Sequence, residues 1–148
     1  MIEIRIIGAQ NINEIKCMFK EVFMNEPWND DWSNEEQLNK YILDLIGNPN
    51  SLTIGLYESD EMIGVSMGNI RHWYSGTEYY IDEFFIKRSR QGSGKGTIFL
   101  NSIEQLLLNK GIKNIFLQTD RHVPAYSFYK KNQFKELKDH VSFYKTLE

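Results

Sequence analysis

The hydrophobic positions in the first third of the chain change from the two-residue period of a strand to the 3.6-residue period of a helix. Residues 2–7 alternate apolar and charged side chains, which predicts a strand with one buried face. From Asn11, the predicted cap, apolar residues recur at helical spacing. A break at residues 25–32 is followed by residues 33–36, which have the form of a capping box. This part therefore predicts one strand and two helices.

The rest of the chain predicts more strands and two further helices. Two strand-like runs, 52–57 and 62–71, are joined by a polar turn and form a predicted hairpin. After them the pattern predicts, in order, a strand at 79–86, a helix ending at Lys110-Gly111, a strand at 112–119, a helix at 124–131, and closing strands at 134–137 and 141–146. The order β-α-α-β-β-β-α-β-α-β-β predicts an α/β (α+β) fold, a mixed sheet with helices packed on it.

Composition and charge narrow the class of protein. With 148 residues, 41% of them hydrophobic, residues 1–148 are expected to form a single domain. A formal charge of -3 favours a cationic partner over nucleic acid or an anionic membrane, and no stretch approaches the roughly 20 apolar residues of a membrane span. A cytoplasmic protein is predicted, and whether it forms a homodimer stays open. The single cysteine, Cys17, lies among apolar residues and is predicted to be a buried thiol.

A glycine cluster, Gln91-Gly92-Ser93-Gly94-Lys95-Gly96, separates a predicted strand from a predicted helix. Unpaired amides at the positive end of a helix dipole bind phosphate oxygens, and glycine lets a diphosphate approach the backbone. A P-loop is excluded because Lys95 is followed by glycine and Ser89 replaces the first glycine. In a dinucleotide fingerprint the third glycine would come later than Gly96. The remaining pattern is Gln91-x-x-Gly94-x-Gly96.

This pattern resembles the pyrophosphate motif of the GNAT superfamily of N-acetyltransferases, Arg/Gln-x-x-Gly-x-Gly/Ala. One helix and one strand later, residues 125–134 are similar to the family's second signature, Ala-x-x-Phe-Tyr-x-x-x-Gly-Phe. Because the two motifs come in the family's order and spacing, the resemblance, to small bacterial general or aminoglycoside-type members, covers essentially the entire chain. It implies a mostly antiparallel twisted sheet flanked by about four helices, with acetyl-coenzyme A (acetyl-CoA) as cofactor.

The resemblance also implies how the cofactor is held. The loop would bind the pyrophosphate, and the backbone of the preceding strand would contact the pantetheine arm and polarise the acetyl carbonyl. The implied cofactor-binding residues are Phe84, Phe85, Ile86, Gln91, Gly92, Ser93, Gly94, Lys95, Gly96, Thr97, His122, Ala125, Phe128 and Tyr129. Two positions depart from the family pattern. His122 stands where asparagine is common, and Gln133 replaces a glycine, which implies a different turn after the last helix.

Acetyl transfer to an amine needs a group that removes a proton from the amine. Because an alkyl ammonium has a pKa of about 10, a carboxylate or a water that it orders must take that proton. Glu83, on the strand that leads to the loop, is the first candidate, and Asp82 is the second. Successive strand residues face opposite sides, so one of the two is expected to point into the site. A solvated or salt-bridged surface role stays open for each.

Tyr129 is the predicted general acid. Its phenol stays protonated at neutral pH and can donate to the departing thiolate. On a short amphipathic helix such a tyrosine is ordinarily a half-buried core residue. The surrounding signature, by resemblance to the family, favours the catalytic role.

The predicted acceptor site lies between the first two helices, where the family places much of it. Two tryptophans around two aspartates, Trp28, Asp30, Asp31 and Trp32, could hold a cationic amine by ring face and charge, or the tryptophans could instead cap the core. Asp120, at the end of a strand, is a further candidate. No set of residues has metal-ligand spacing.

These features predict an N-acetyltransferase that acts on a primary amine of a small cationic molecule by direct transfer within a ternary complex. Three alternatives stay open: a protein or peptide amine acetyltransferase, a non-catalytic acyl-CoA sensor, and a regulator that binds ATP at the glycine loop.

Overall fold

The computed structural model describes residues 1–148 and contains five strands, four α-helices and two short 3-10 helices. The strands are β1 (Ile2–Ile7), β2 (Ser51–Glu58), β3 (Glu61–Trp73), β4 (Gly76–Ile86) and β5 (Asn114–Leu117). The helices are α1 (Ile12–Phe23), α2 (Glu35–Ile46), α3 (Lys95–Asn109) and α4 (Pro124–Lys131). None of the helices is long and apolar enough to cross a membrane.

The five strands form one sheet in the order β1-β2-β3-β4-β5. The pairs from β1 to β4 are antiparallel, and β5 runs parallel to β4. The predicted fold class, a mixed and mostly antiparallel sheet flanked by four helices, is therefore confirmed. The chain divides into two compact units, 1–118 and 119–148. That the whole chain is one domain stays a prediction.

In the first unit, the two faces of the sheet carry separate hydrophobic cores. The first cluster joins α1 and α2 to strand residues such as Val65 and Met67, and the second joins α3 to residues such as Ile54 and Ile63. The apolar stripe of α1 leaves Cys17 on its outer side, so the prediction of a buried thiol is wrong and Cys17 is exposed.

A β-bulge in β4 changes which residues face each core. Met67 lies opposite Glu83 and Gly68 opposite Ile81, which leaves Asp82 as an extra residue on β4. Before the bulge, Ile81 belongs to the α3 core, and after it Phe84 packs against that same core. A single inserted residue therefore reverses the alternation of the strand between its two halves.

Three local predictions differ from the structure. The cap of α2 is Asn34, whose side chain accepts a hydrogen bond from the amide of Gln37 at 3.0 Å, so the predicted box starting at Ser33 is wrong. Asn11 is the N-cap residue of α1, as predicted, but its side chain makes no capping hydrogen bond: its Oδ1 accepts instead from the amide of Gly8 at 3.4 Å. Near Asn11 and near Asn34 the sequence allows more than one helix start, and the local backbone conformation decides which start is used.

The third difference concerns the second unit. The strands predicted at 134–137 and 141–146 do not form, and no helix or strand follows α4. Leu137, Val141, Phe143 and Tyr144 are exposed there. Apolar alternation predicts a strand only where a neighbouring strand accepts its backbone hydrogen bonds, and these two segments do not pair with each other.

Candidate active site

The end of β4 is the part of the first unit where the predicted chemistry concentrates. The ladder between β4 and β5 ends where Ile81 lies opposite Leu117, although β4 continues to Ile86. Phe84, Phe85 and Ile86, the residues predicted to contact the pantetheine arm, therefore lie beyond the end of that ladder.

Glu83 lies just after the bulge and is held by α2. The Tyr41 hydroxyl donates a hydrogen bond to Glu83 Oε2 at 2.5 Å. Burial raises the pKa of Glu83 to about 7; the Tyr41 hydrogen bond opposes this rise, and the negative charges of Asp82 and Asp30 add to it. Glu83 is thus a carboxyl group that titrates close to neutral pH.

Asp82 lies on the same side of β4 as Glu83. Its Oδ2 accepts a hydrogen bond from Asn69 Nδ2 at 3.2 Å, and Asn69 is two residues along β3 from Met67, which lies opposite Glu83. Partial burial raises the pKa of Asp82, while the Asn69 hydrogen bond and the Arg71 charge act against that rise. The expectation that adjacent carboxylates face opposite sides is wrong here, because the bulge interrupts the alternation.

The glycine loop has a backbone open to a ligand. Gly92 and Gly94 have φ angles of 79° and 81°, in the left-handed region, and a Cβ atom built at either position would meet no atom within 4 Å. Gly94 precedes α3 as its N-cap, and no side chain caps the helix. The first amides of α3 are therefore available to a phosphate group, and the loop fits the pyrophosphate of the predicted cofactor.

The side chains of the loop turn back toward the protein. Gln91 Nε2 donates to the Ile86 carbonyl oxygen at 2.8 Å, and Ser93 Oγ donates to the Arg90 carbonyl oxygen at 2.9 Å. The ammonium group of Lys95 is 3.6 Å from a carboxylate oxygen of Glu58 at the β2–β3 turn. Gly96 and Thr97 lie half-buried in the first turn of α3. These contacts fix the loop and leave its backbone to face a ligand.

In the segment between α1 and α2, the two tryptophans pack on the core, and Asp30 contributes negative charge near Glu83. Trp32 stacks on Tyr41, with ring centroids 5.1 Å apart and planes inclined by 21°, and Trp28 packs on Phe23 at 5.5 Å. Asp31 accepts a hydrogen bond from the Ser33 amide at 3.0 Å. The tryptophan packing favours the core-capping alternative, whereas Asp30 acts on the charge of Glu83.

Four of the predicted cofactor residues, and Asp120, lie in the second unit. Asp120 and His122 are exposed before α4, and Ala125, Phe128 and Tyr129 are half-buried on it. The Tyr129 ring contacts Phe128 and Phe134, both at 5.2 Å.

Gln133 makes the turn that follows α4. It has a φ of 71°, in the left-handed region that glycine adopts easily. The expectation of a different turn at Gln133 is therefore wrong: glutamine adopts the glycine-like conformation.

Two polar residues that contact the candidate carboxylates were not predicted. In the sequence, Tyr41 lies in the helix predicted after residues 33–36, and Asn69 lies in the strand predicted at 62–71. No spacing in the sequence connects residue 41 with residue 83, because their contact depends on how α2 packs on the sheet. The structure brings together no group of three or more His, Cys, Asp or Glu side chains that could hold a metal ion.

Comparison with known proteins identifies the family. The model of the acetyltransferase (GNAT) family matches residues 12–134. The chain belongs to this family. It is accordingly an acetyl-CoA-dependent N-acetyltransferase, since GNAT enzymes use acetyl-CoA as the acetyl donor. None of the curated protein sequences matches the chain.

Solved structures share the fold of this acetyltransferase. A protein from Clostridium difficile 630, described as a possible acetyltransferase, has a TM-score of 0.82 and 14% identity, over 100% of this chain and 99% of that one. A predicted acetyltransferase from Clostridium acetobutylicum, with acetyl-CoA, has a TM-score of 0.73 and 17% identity over 97% and 96%. The aminoglycoside acetyltransferase meta-AAC0020 from a soil metagenomic sample, in complex with sisomicin, has values of 0.74 and 18% over 99% and 97%. At these identities the likeness shows the fold alone.

Proposed function

We propose that this acetyltransferase transfers the acetyl group of acetyl-CoA directly to a primary amine of a small cationic molecule, within a ternary complex. The observation that carries this proposal is Glu83, a largely buried carboxyl group with a pKa of about 7. A proton acceptor works best when its pKa lies near the pH at which it operates. Burial at the end of β4 gives Glu83 that property.

In the proposed reaction Glu83 takes a proton from the acceptor ammonium group, directly or through a water molecule, so that the neutral amine can attack. Acetyl-CoA, when bound, supplies the acetyl group as a thioester. The Tyr129 hydroxyl donates a proton to the sulfur as the carbon–sulfur bond breaks, and the phenolate is reprotonated by the second proton that the nitrogen loses when it becomes an amide. Asp82 is the alternative proton acceptor, and its hydrogen bond with Asn69 likewise engages one of its two oxygens.

The loop from Gln91 to Thr97 would hold the pyrophosphate, and its fit rests on the left-handed Gly92 and Gly94. The backbone of residues 84–86 would contact the pantetheine arm. From the second unit, the predicted contributors are His122, Ala125, Phe128 and Tyr129.

The charge around Glu83 supports a cationic acceptor. Asp82 and Asp30 both act on Glu83 strongly enough to raise its pKa, so the negative field extends beyond a single group. Trp28 and Trp32 would then shape the wall of the acceptor site, and Asp31 and Asp120 remain proposed contacts. The fold relative in complex with sisomicin, an acetyltransferase of aminoglycosides, supports a small polyamine of this class.

The proposal is tested by incubating the protein with acetyl-CoA and, in separate reactions, sisomicin, spermidine, free lysine and a lysine-containing peptide. Mass spectrometry is expected to detect an acetylated small polycation. Product from the peptide alone would support a peptide acetyltransferase. Coenzyme A binding in calorimetry without product from any amine would support the sensor, and tighter binding of ATP than of coenzyme A would support the regulator.

A matched pair of variants tests the cofactor loop in the same assay. Gly94 and Gly111 have left-handed φ angles of 81° and 79°, and both would direct a Cβ into open space. Gly94→Ala and Gly111→Ala should therefore cost similar stability, of about 1–2 kcal/mol. Only Gly94→Ala is expected to weaken coenzyme A binding, at least about tenfold, because its Cβ occupies the cradle. Equal binding by both variants would remove Gly94 from the site.

A further inference from the structure

The ring of Tyr41 is fixed by packing on the α1–α2 side of the sheet. It stacks on Trp32 at 5.1 Å, and its centroid is 6.0 Å from that of Phe19. Because these neighbours determine where the ring lies, they also determine where the hydroxyl group points.

The hydroxyl group of Tyr41 has one acceptor, Glu83 Oε2, at 2.5 Å. Burial, together with the negative charge of Glu83, raises the pKa of Tyr41 far above its ordinary value, so the hydroxyl keeps its proton and acts as a donor. This hydrogen bond engages Oε2 and leaves the second carboxylate oxygen, Glu83 Oε1, outside the contact with Tyr41.

We propose that Tyr41 is a positioning residue, which holds Oε2 of Glu83 and leaves Oε1 to receive the proton of the acceptor amine. This inference rests on the proposed role of Glu83 as proton acceptor. It assigns Tyr41 no contact with the reacting atoms: the hydroxyl acts through the carboxylate, by fixing its orientation and stabilising its ionised form.

The charges around Tyr41 and Glu83 oppose the effect of Tyr41 on the pKa of Glu83. Asp82 on β4 and Asp30 before α2 both favour the protonated form of Glu83, as does burial. Asp44 on α2 acts on Tyr41, and Arg71 on β3 acts on Asp82. Tyr41 is the one group whose interaction lowers the pKa of Glu83. Without it, Glu83 would hold its proton to a higher pH and be a poorer acceptor at neutral pH.

The test replaces the hydroxyl and keeps the ring. Tyr41→Phe is compared with Tyr126→Phe, which removes a tyrosine hydroxyl that also donates to a glutamate at 2.5 Å. With acetyl-CoA and sisomicin, or the amine that gave product, Tyr41→Phe should move the acidic limb of the kcat profile up by about one pH unit. At pH 7 kcat should fall about fivefold and recover at higher pH, with KM for acetyl-CoA unchanged. Tyr126→Phe should leave the limb in place.

A second measurement separates this inference from the proposed function. Infrared difference spectra, taken against Glu83→Gln without substrate, follow the protonation of Glu83 directly. Tyr41→Phe should raise the pH at which that carboxyl band titrates, and an unchanged titration would overturn the positioning role. If the band shifts and the kcat profile does not, the positioning of the carboxylate stands, and the role of Glu83 as proton acceptor fails.

Discussion

Two tyrosine–glutamate pairs, one in each unit, share the same bond and differ in its consequence. Tyr41 donates to Glu83 and Tyr126 donates to Glu136, both at 2.5 Å. The pKa of Glu83 is raised to about 7, whereas the Tyr126 hydrogen bond lowers the pKa of Glu136. In one unit the tyrosine contact belongs to a carboxyl group that titrates near neutral pH, and in the other to a carboxyl group whose pKa is lowered.

The difference lies in burial and in the sign of the neighbouring charges. Glu83 is largely buried and sees Asp82 and Asp30, which are both negative. Glu136 also pairs with Arg121 at 2.9 Å. A hydrogen bond from tyrosine stabilises a carboxylate in either place, but only desolvation without a cation brings the carboxyl group to a pKa that suits proton transfer.

The largest expected effect comes from removing each carboxylate. Glu83→Gln should lower kcat/KM by about 10²- to 10⁴-fold, the usual contribution of a general base. Glu136→Gln removes a carboxylate with the same tyrosine partner and should change kcat/KM by less than about threefold. Steady-state release of coenzyme A with a productive amine measures both. A Glu83→Gln enzyme of wild-type rate would end the functional distinction between the pairs.

A smaller effect on turnover is expected from removing the hydroxyl of Tyr129. Tyr126, on the same helix, is the control that shows whether the effect is specific to that position. Tyr129→Phe should lower kcat by about 10²- to 10³-fold with little change in coenzyme A affinity, because a proton donor acts in the transition state. Tyr126→Phe should keep nearly full turnover. Kinetics together with calorimetry make the comparison, and a loss in both variants, or in neither, would remove Tyr129 from the role of acid.

The pH dependence of stability should have opposite signs at the two glutamates. The pKa of Glu83 is about 4.5 in the unfolded chain and about 7 in the folded protein. Protonation of Glu83 therefore stabilises the fold fully below about pH 4.5, and this contribution is lost as the pH rises through about 7. As the pH rises from about 5 to 8, the free energy of unfolding of Glu83→Gln should thus increase by about 2–3 kcal/mol relative to that of the wild type. The lowered pKa of Glu136 stabilises the fold at neutral pH, and this contribution is lost in acid. The stability of Glu136→Gln relative to the wild type should therefore decrease as the pH rises from acid to neutral. Urea unfolding across pH measures both trends, and parallel trends would contradict the contrast.

The smallest expected effect concerns the turn between α4 and Glu136. Gln133 has a left-handed φ of 71°, so Gln133→Gly should stabilise the protein by about 0.5–1 kcal/mol, after the extra backbone entropy of glycine is subtracted. Thermal unfolding measures the gain, with Gln118→Gly as a control where no such gain is expected. Destabilisation by glycine would show that Gln133 makes contacts that outweigh the strain.

Much of the fold was predictable because its signals are local. Neighbouring residues determine the hydrophobic periods of α1, α2 and α3, the end of α3 before Gly111, and the order of β2, β3 and β4. The two strands after α4 were predicted wrongly for the same reason. Local alternation identifies a segment able to form a strand and contains no information about a partner for it.

By itself the sequence determined the glycine loop, its position between a strand and a helix, and the family to which its two signatures point. Only the tertiary structure decided what the carboxylates do. One extra residue at Asp82 places both carboxylates on one face, and the packing of α2 brings Tyr41 to Glu83. Phosphate binding needs amides that are consecutive along the chain, whereas the proton affinity of a carboxyl group depends on burial and on charges that arrive from other elements.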